Sequence, residues 1–92
     1  MFMKDKGEKN MGIRDEVIEV LAKKAAYITN RSVDEFGPET RFIEDLDAKS
    51  VNIVQFSAAL EDEFDVEVPY MELARKATFA EVADYIAKMF GE

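Results

Sequence analysis

The chain has 92 residues, twelve of them basic and twenty acidic, giving a formal net charge of −8 at pH 7, and it contains neither cysteine nor histidine. A length below about 100 residues predicts one domain with little room for a deep catalytic cleft. An acidic surface repels phosphate backbones, which argues against a nucleic acid partner, and the missing cysteines suit a reducing cytoplasm.

Residues 1–11 are polar, carry mixed charge and show no hydrophobic period. We interpret them as a disordered tail or an artificial extension, and residues 12–92 as one helical domain. The tail lacks the apolar stretch of a secretory signal. Every apolar run in the chain is far shorter than the roughly 18 residues that a membrane-spanning helix needs. We therefore expect a cytoplasmic protein without membrane insertion.

A first helix is predicted from Ile13, because apolar residues recur from there at helical spacing. Its stripe consists of Ile13, Val17, Val20 or Leu21, Ala25 and Ile28. Residues 30–49 follow without a sustained period and contain the Gly37-Pro38 pair, which predicts a long loop. Loops of this length are usually functional or disordered. Four apolar residues favour order, since they can pin the loop to the core: Phe36, Phe42, Ile43 and Leu46.

The second helix is predicted to open at Ser50. The apolar stripe of this helix consists of Ile53, Ser57, Leu60 and Phe64. Three further residues lie beside the stripe: Val51, Val54 and Ala58. Serine is among the best N-cap residues, worth about 1 kcal/mol over alanine. On spacing alone, the pattern therefore favours a helix cap as the role of Ser50.

Two more helices complete the chain. Pro69 fits the first turn of a short third helix through Met71 and Leu73. Thr78 is a natural cap for the last helix, and Glu81 completes a capping box with it. The buried stripe of that helix is predicted to be Phe79, Val82, Ile86 and Phe90, with Gly91 at its end. Together these elements predict an all-α fold, a small four-helix bundle with three longer helices, one short third helix and a long loop between helices one and two.

Catalytic and metal-binding patterns are missing from the sequence. A hydrolase or transferase needs a nucleophile, a base and a charge stabiliser, and this chain has neither histidine nor cysteine to supply them. We therefore expect no enzymatic activity. The acidic run from Asp45 fails as a calcium loop, because Lys49, Ser50 and Phe56 stand where an EF-hand has an oxygen ligand, glycine and glutamate. No metal site is predicted.

The stretch FIEDLDAKSVNIVQFSAALEDEFDVEVP, residues 42–69, resembles the modification-site region of acyl carrier proteins. That family has an F-x-E-D-L run, a short turn, Asp-Ser-Leu, an amphipathic helix ending in acidic residues and Phe, and then I/V-x-I/V-P. VDEFGPETRFIEDL is similar to the family's first loop, and TFAEVADYIAKMF is similar to its last helix. The resemblance covers roughly residues 13–90 in register.

This resemblance implies a four-helix carrier whose Ser50 receives a 4′-phosphopantetheine arm from coenzyme A through a separate phosphopantetheinyl transferase. The thiol of the arm would hold an acyl group as a thioester, for delivery to enzymes of fatty acid, lipid or related acyl metabolism. Those partners would bind a monomeric carrier through basic docking patches. The positions that match the family's partner-facing residues are Asp45, Asp47, Lys49, Val51, Asn52, Gln55, Glu61 and Asp62.

The sequence departs from the family pattern beside Ser50. Lys49 and Val51 replace Asp and Leu, and Asn52 and Gln55 are amides at usually acidic positions. Since charge steers the encounter with partners, we interpret the chain as a specialised carrier rather than the housekeeping carrier of fatty acid synthesis. The cargo stays open among fatty acyl, polyketide, amino-acyl and lipid-modifying groups. Lys49 also keeps an alternative open, a carrier-like interaction module that is never phosphopantetheinylated.

Overall fold

Residues 12–91 are described by a computed structural model, in which α1 spans Ile13–Thr29, α2 Ser50–Phe64, α3 Tyr70–Ala74 and α4 Phe79–Met89. A short 3-10 helix, Val33–Glu35, lies in the connection between α1 and α2. The predicted all-α class, the long first loop and the short third helix are confirmed. The predicted tail, residues 1–11, lies outside the described residues. Within those residues, no helix is long and apolar enough to cross a membrane.

The first helix packs against both α2 and α4. Val17, Leu21 and Ala25 are fully buried on the predicted stripe, and Ile13 and Ile28 pack at its edges. Asn30 ends the helix in a left-handed conformation (φ 59°), and its N–H donates to the carbonyl of Ala26. Asparagine is one of the few residues that adopt this conformation readily.

Three phenylalanines from separate segments meet at the centre of the bundle. Phe42 comes from the long loop, Phe56 from α2 and Phe79 from the start of α4, and their ring centroids lie 5.1–6.2 Å apart. All three are at most 1% exposed. Truncating a buried phenylalanine to alanine typically costs about 3–5 kcal/mol. The aromatic cluster therefore fixes the long loop against α2 and α4.

The same loop supplies hydrogen bonds to the beginning of α4. Phe79 N–H donates to Thr40 O at 3.0 Å and Ala80 N–H to Pro38 O at 2.9 Å, which pairs two N–H groups that have no partner within their own helix.

Ile43 is the exception to the predicted anchoring of the loop, because it is 64% exposed. Its neighbour Phe42 takes the inward direction in the turn, so the prediction for Ile43 is wrong.

The last helix begins as predicted, with Thr78 Oγ1 accepting from Glu81 N–H at 3.2 Å. Glu81 reaches back one residue further than a standard capping box, since its Oε1 accepts from Ala77 N–H at 2.8 Å. Phe79, Val82 and Ile86 are fully buried. Phe90 is not, because it follows the last helical turn and is 45% exposed. The predicted stripe is therefore wrong at its final position.

Candidate attachment site

Ser50 is the first residue of α2, and its side chain is exposed. The N-cap is Lys49, whose backbone is extended. A lysine side chain has no acceptor, so the cap comes from Asn52, whose Oδ1 accepts from Lys49 N–H at 2.8 Å. The interpretation of Ser50 as a helix cap is therefore wrong. The helix forms without help from the serine hydroxyl, which leaves that oxygen to other chemistry.

A turn at residues 42–48 delivers the chain to Ser50. Ala48 N–H donates to the carbonyl of the buried Phe42 at 2.9 Å, and Asp47 adopts a left-handed conformation (φ 51°). Asp45 Oδ2 accepts from Arg41 N–H at 2.8 Å. The two aspartates predicted as partner contacts thus belong to an ordered turn directly before the serine.

Lys49 is the cation beside Ser50, and its Nζ lies 3.0 Å from Asp47 Oδ1. The two side chains are 67% and 84% exposed. Exposed pairs of this kind contribute about 0–1 kcal/mol, so the ammonium exchanges easily between Asp47 and another anion. The pair nevertheless neutralises one of the acidic charges closest to the serine.

The first residue of α3 also reaches the serine. The Tyr70 hydroxyl lies 3.3 Å from Ser50 Oγ and donates a hydrogen bond to it. Tyr70 is a site residue that the sequence does not predict, because no periodicity or cap links two residues that lie 20 positions apart. Its one visible signal is its place next to Pro69, at the start of the short helix.

The predicted contacts on α2 divide among three sides of the helix. Spacings of four, three and four residues put Val51, Gln55, Ala58 and Asp62 on one outward row, which we call the α2 ridge. Glu61 and the half-exposed Val54 lie beside this row, toward α3, and Glu61 Oε2 accepts from Val68 N–H at 2.8 Å.

Asn52 lies on the other side of the ridge, where its Nδ2 donates to Gln55 Oε1 at 3.1 Å. On this side an open groove separates α2 from α1, and Asp62 lines it together with Lys23 and Tyr27. Asn52 and Glu61 are thus engaged in hydrogen bonds that shape the ends of α2, whereas Val51 and Asp62 project outward.

The geometry at Ser50 fits a phosphodiester. Its hydroxyl is accessible, its helix is 15 residues long, and the N-terminus of a helix favours a negative group through its unpaired N–H groups and dipole. In residues 12–91, no cluster of three or more acidic side chains is arranged to hold a metal ion.

Comparison with known proteins agrees with this geometry. A family model described as "Phosphopantetheine attachment site" matches residues 17–86. An acyl carrier protein of Helicobacter hepaticus is 43% identical over 65 residues, covering 68% of this chain and 86% of that protein. One from Chlorobium luteolum is 34% identical over 76 residues, covering 83% and 92%. The meromycolate extension acyl carrier protein of Mycolicibacterium smegmatis is 33% identical over 76 residues, covering 83% and 77%. The chain therefore belongs to the acyl carrier protein family, whose non-catalytic members carry acyl groups on a covalently attached 4′-phosphopantetheine arm and interact with a phosphopantetheinyl transferase and acyl-handling enzymes.

Proposed function

We propose that Ser50 is the residue that receives the 4′-phosphopantetheine arm. The observation that carries this proposal is the division of roles at the start of α2, where Asn52 caps the helix and the exposed Ser50 does not. Modification of a capping serine would remove a helix-stabilising bond. Modification at Ser50 leaves the bond that caps α2 intact, and it sets a negative phosphate at a helix end that favours negative charge.

In the attachment step, Ser50 Oγ forms a bond to the pantetheine-linked phosphorus of coenzyme A, and the pyrophosphate bond breaks. Adenosine 3′,5′-bisphosphate leaves, and a base of the transferase takes the serine proton. The chain has no cysteine, so the thiol that carries the acyl thioester is the one imported with the arm. The residues of this chain contribute an accessible hydroxyl and its orientation, not catalysis.

Partner enzymes dock on the α2 ridge and the turn before it. Val51 offers an exposed apolar contact beside Ser50, and Asp62 offers charge to basic patches. Asp47 can exchange the ammonium of Lys49 for a basic group of the partner, because their exposed pair is weak. The net charge of −8 favours fast encounter with such patches at low salt. Brief visits to several enzymes suit small contacts, so we further propose a monomeric carrier that works in the cytoplasm.

Lys49, Asn52 and Gln55 make this surface less acidic than the pattern that acyl carrier proteins share, and we propose that they select a specialised set of partners. The relatives include both proteins named simply acyl carrier protein and proteins named for meromycolate extension. Competition between this chain and a housekeeping carrier for one general fatty acid synthase tests the idea. Equal acceptance of the two carriers would refute specialisation.

Intact-mass measurement tests the attachment site itself. The wild-type chain and Ser50→Ala are treated with coenzyme A and a broad-specificity phosphopantetheinyl transferase. We expect one added phosphopantetheine on the wild type and none on Ser50→Ala. Ser32→Ala is the matched control, because Ser32 is an exposed serine that caps the short 3-10 helix, and it should be modified like the wild type. Addition to Ser50→Ala would refute the assignment.

The second candidate function is an interaction module without the arm, and Lys49 is the observation that favours it. In this case the lysine, at a position where the family has a carboxylate, closes the site to the transferase. Lys49→Asp separates the two candidates. If Lys49→Asp is modified and the wild type is refused by several transferases, the interaction module becomes the better description.

A further inference from the structure

The contact between Tyr70 and Ser50 rests on a firmly held segment. Tyr70 opens α3 directly after Pro69, whose carbonyl accepts from the N–H groups of Glu72 and Leu73 at 3.0 and 3.2 Å. Leu73 is fully buried and fixes the short helix to the core. The tyrosine itself is exposed, at 39% of its surface, and its hydroxyl reaches the serine.

A phosphodiester at Ser50 changes the best partner for this hydroxyl. Esterification removes the serine proton and makes Oγ a poor acceptor, but it brings a phosphate with charged oxygens to the same atom. Hydrogen bonds to charged acceptors are roughly twice as strong as neutral ones. The phenol O–H of a tyrosine can donate such a bond.

We propose that Tyr70 is a positioning residue for the prosthetic arm, bonded to Ser50 Oγ before modification and donating to the phosphodiester afterwards. This inference rests on Ser50 being the attachment site. The bond turns the base of the arm toward α3 and the exposed side of Val54, and away from the groove between α1 and α2. The pantetheine chain therefore starts from one preferred direction instead of sweeping freely around the helix end.

Lys49 is the competing donor, because its ammonium also stands next to the serine. Its partner Asp47 lies in the turn that precedes α2, 3.0 Å from the ammonium, whereas Tyr70 comes from α3. The two residues would therefore hold the phosphate in different directions. Comparing Tyr70→Phe with Lys49→Gln distinguishes them, since Tyr70→Phe removes the hydroxyl donor, Lys49→Gln removes the positive charge, and both keep most of the side chain.

The experiment uses the modified full-length protein in four forms: wild type, Tyr70→Phe, Lys49→Gln and the control Tyr27→Phe. Tyr27 is 77% exposed on α1 and does not line the site. Intact mass first confirms that each form carries the arm. Phosphorus NMR then reports the environment of the phosphodiester, and nuclear Overhauser contacts between ring protons and the pantetheine methylenes report its direction.

We expect Tyr70→Phe alone to lose the arm contacts to α3, to shift the phosphorus resonance and to narrow the pantetheine proton lines. Tyr27→Phe should match the wild type, and Lys49→Gln should retain the contacts to the Tyr70 ring. Full modification with identical spectra for wild type and Tyr70→Phe would overturn the role of Tyr70 while leaving the attachment site intact. No mass increase on any form would overturn both proposals.

Discussion

The backbone N–H of Lys49 and the side-chain oxygen of Asn52 are joined by a 2.8 Å hydrogen bond. Asn52 therefore has a structural task that its place in the sequence does not reveal. A carboxylate at this position can accept the same bond, and so the amide keeps the cap while removing a charge from the surface next to Ser50. At position 52, the surface charge that partner proteins meet can therefore change while the hydrogen bond that caps α2 is kept.

Replacing Asn52 tests this cap. Asn52→Ala is expected to lower the free energy of unfolding by about 1 kcal/mol, the usual loss when a capping side chain is removed. Asn52→Asp should equal or exceed the wild type, because it keeps the acceptor and adds a negative charge at the helix N-terminus, worth about 0.3–1 kcal/mol. Urea unfolding followed by circular dichroism measures both changes.

Gln55→Ala is the control for that pair, since it removes the bond from Asn52 Nδ2 and leaves the cap in place. Its effect should be within about 0.5 kcal/mol of zero, as for most surface changes. If Asn52→Ala proves no more costly than Gln55→Ala, the bond to Lys49 does not stabilise α2.

Ser57 offers a stabilising substitution. Its side chain is buried, and in the described part of the chain Ser57 Oγ is the buried side-chain polar atom without a hydrogen-bond partner. A buried unpaired group costs about 1–3 kcal/mol, so Ser57→Ala is expected to raise the free energy of unfolding by about 1 kcal/mol. Thr78→Ala, which removes the cap of α4, should lower it by a similar amount. A loss of stability in Ser57→Ala would mean that its hydroxyl is satisfied.

The sequence predicts best the features that depend on neighbouring residues. The cap of α4 needs only Thr78 and Glu81, three positions apart, and the structure has its bond where the pattern predicts it. The α1 stripe is likewise a local repeat, and its central members are buried. Both signals act within one or two helical turns, so the rest of the chain cannot easily change them.

Features set by the long loop escape this kind of prediction. Nothing local decides that Phe42 points inward and Ile43 outward, because that choice depends on rings contributed by α2 and α4. The same turn sets where α2 begins, and it shifts Ser50 by one residue from cap to first helical position. The bond between Tyr70 and Ser50 depends on how α3 returns to α2, which no short motif encodes.

Tyr85 gives the bundle a dependence on alkaline pH. Burial, and then the nearby Glu72 carboxylate, raise the pKa of the Tyr85 phenol above its ordinary value. Since its pKa is higher in the folded state, the stability linked to this group is fully present below the unfolded pKa of about 10 and is lost as the pH rises through the folded pKa.

Urea unfolding measured across that pH range should therefore show a decline in the free energy of unfolding. Tyr85→Phe should reduce this decline. Tyr27→Phe should leave the decline unchanged, because Tyr27 is largely exposed. The difference in ultraviolet absorbance between the wild type and Tyr85→Phe should show Tyr85 ionising above the ordinary phenol pKa of about 10. Ionisation of Tyr85 below that value would contradict the expected direction.

Glu61 and Asp62 are neighbours at the end of α2, but we expect Glu61 to contribute to stability and Asp62 to the docking of partners. Glu61→Ala should cost about 1–2 kcal/mol, because it leaves the part-buried N–H of Val68 without its carboxylate partner. Glu61→Gln keeps an acceptor and should cost less, and Asp62→Asn should be near neutral for stability.

If the α2 ridge meets basic partners, Asp62→Asn slows association with an acyl-handling enzyme at low salt, and added salt removes the difference. Stopped-flow association across a salt series measures this, and unchanged rates would exclude Asp62 from the docking surface.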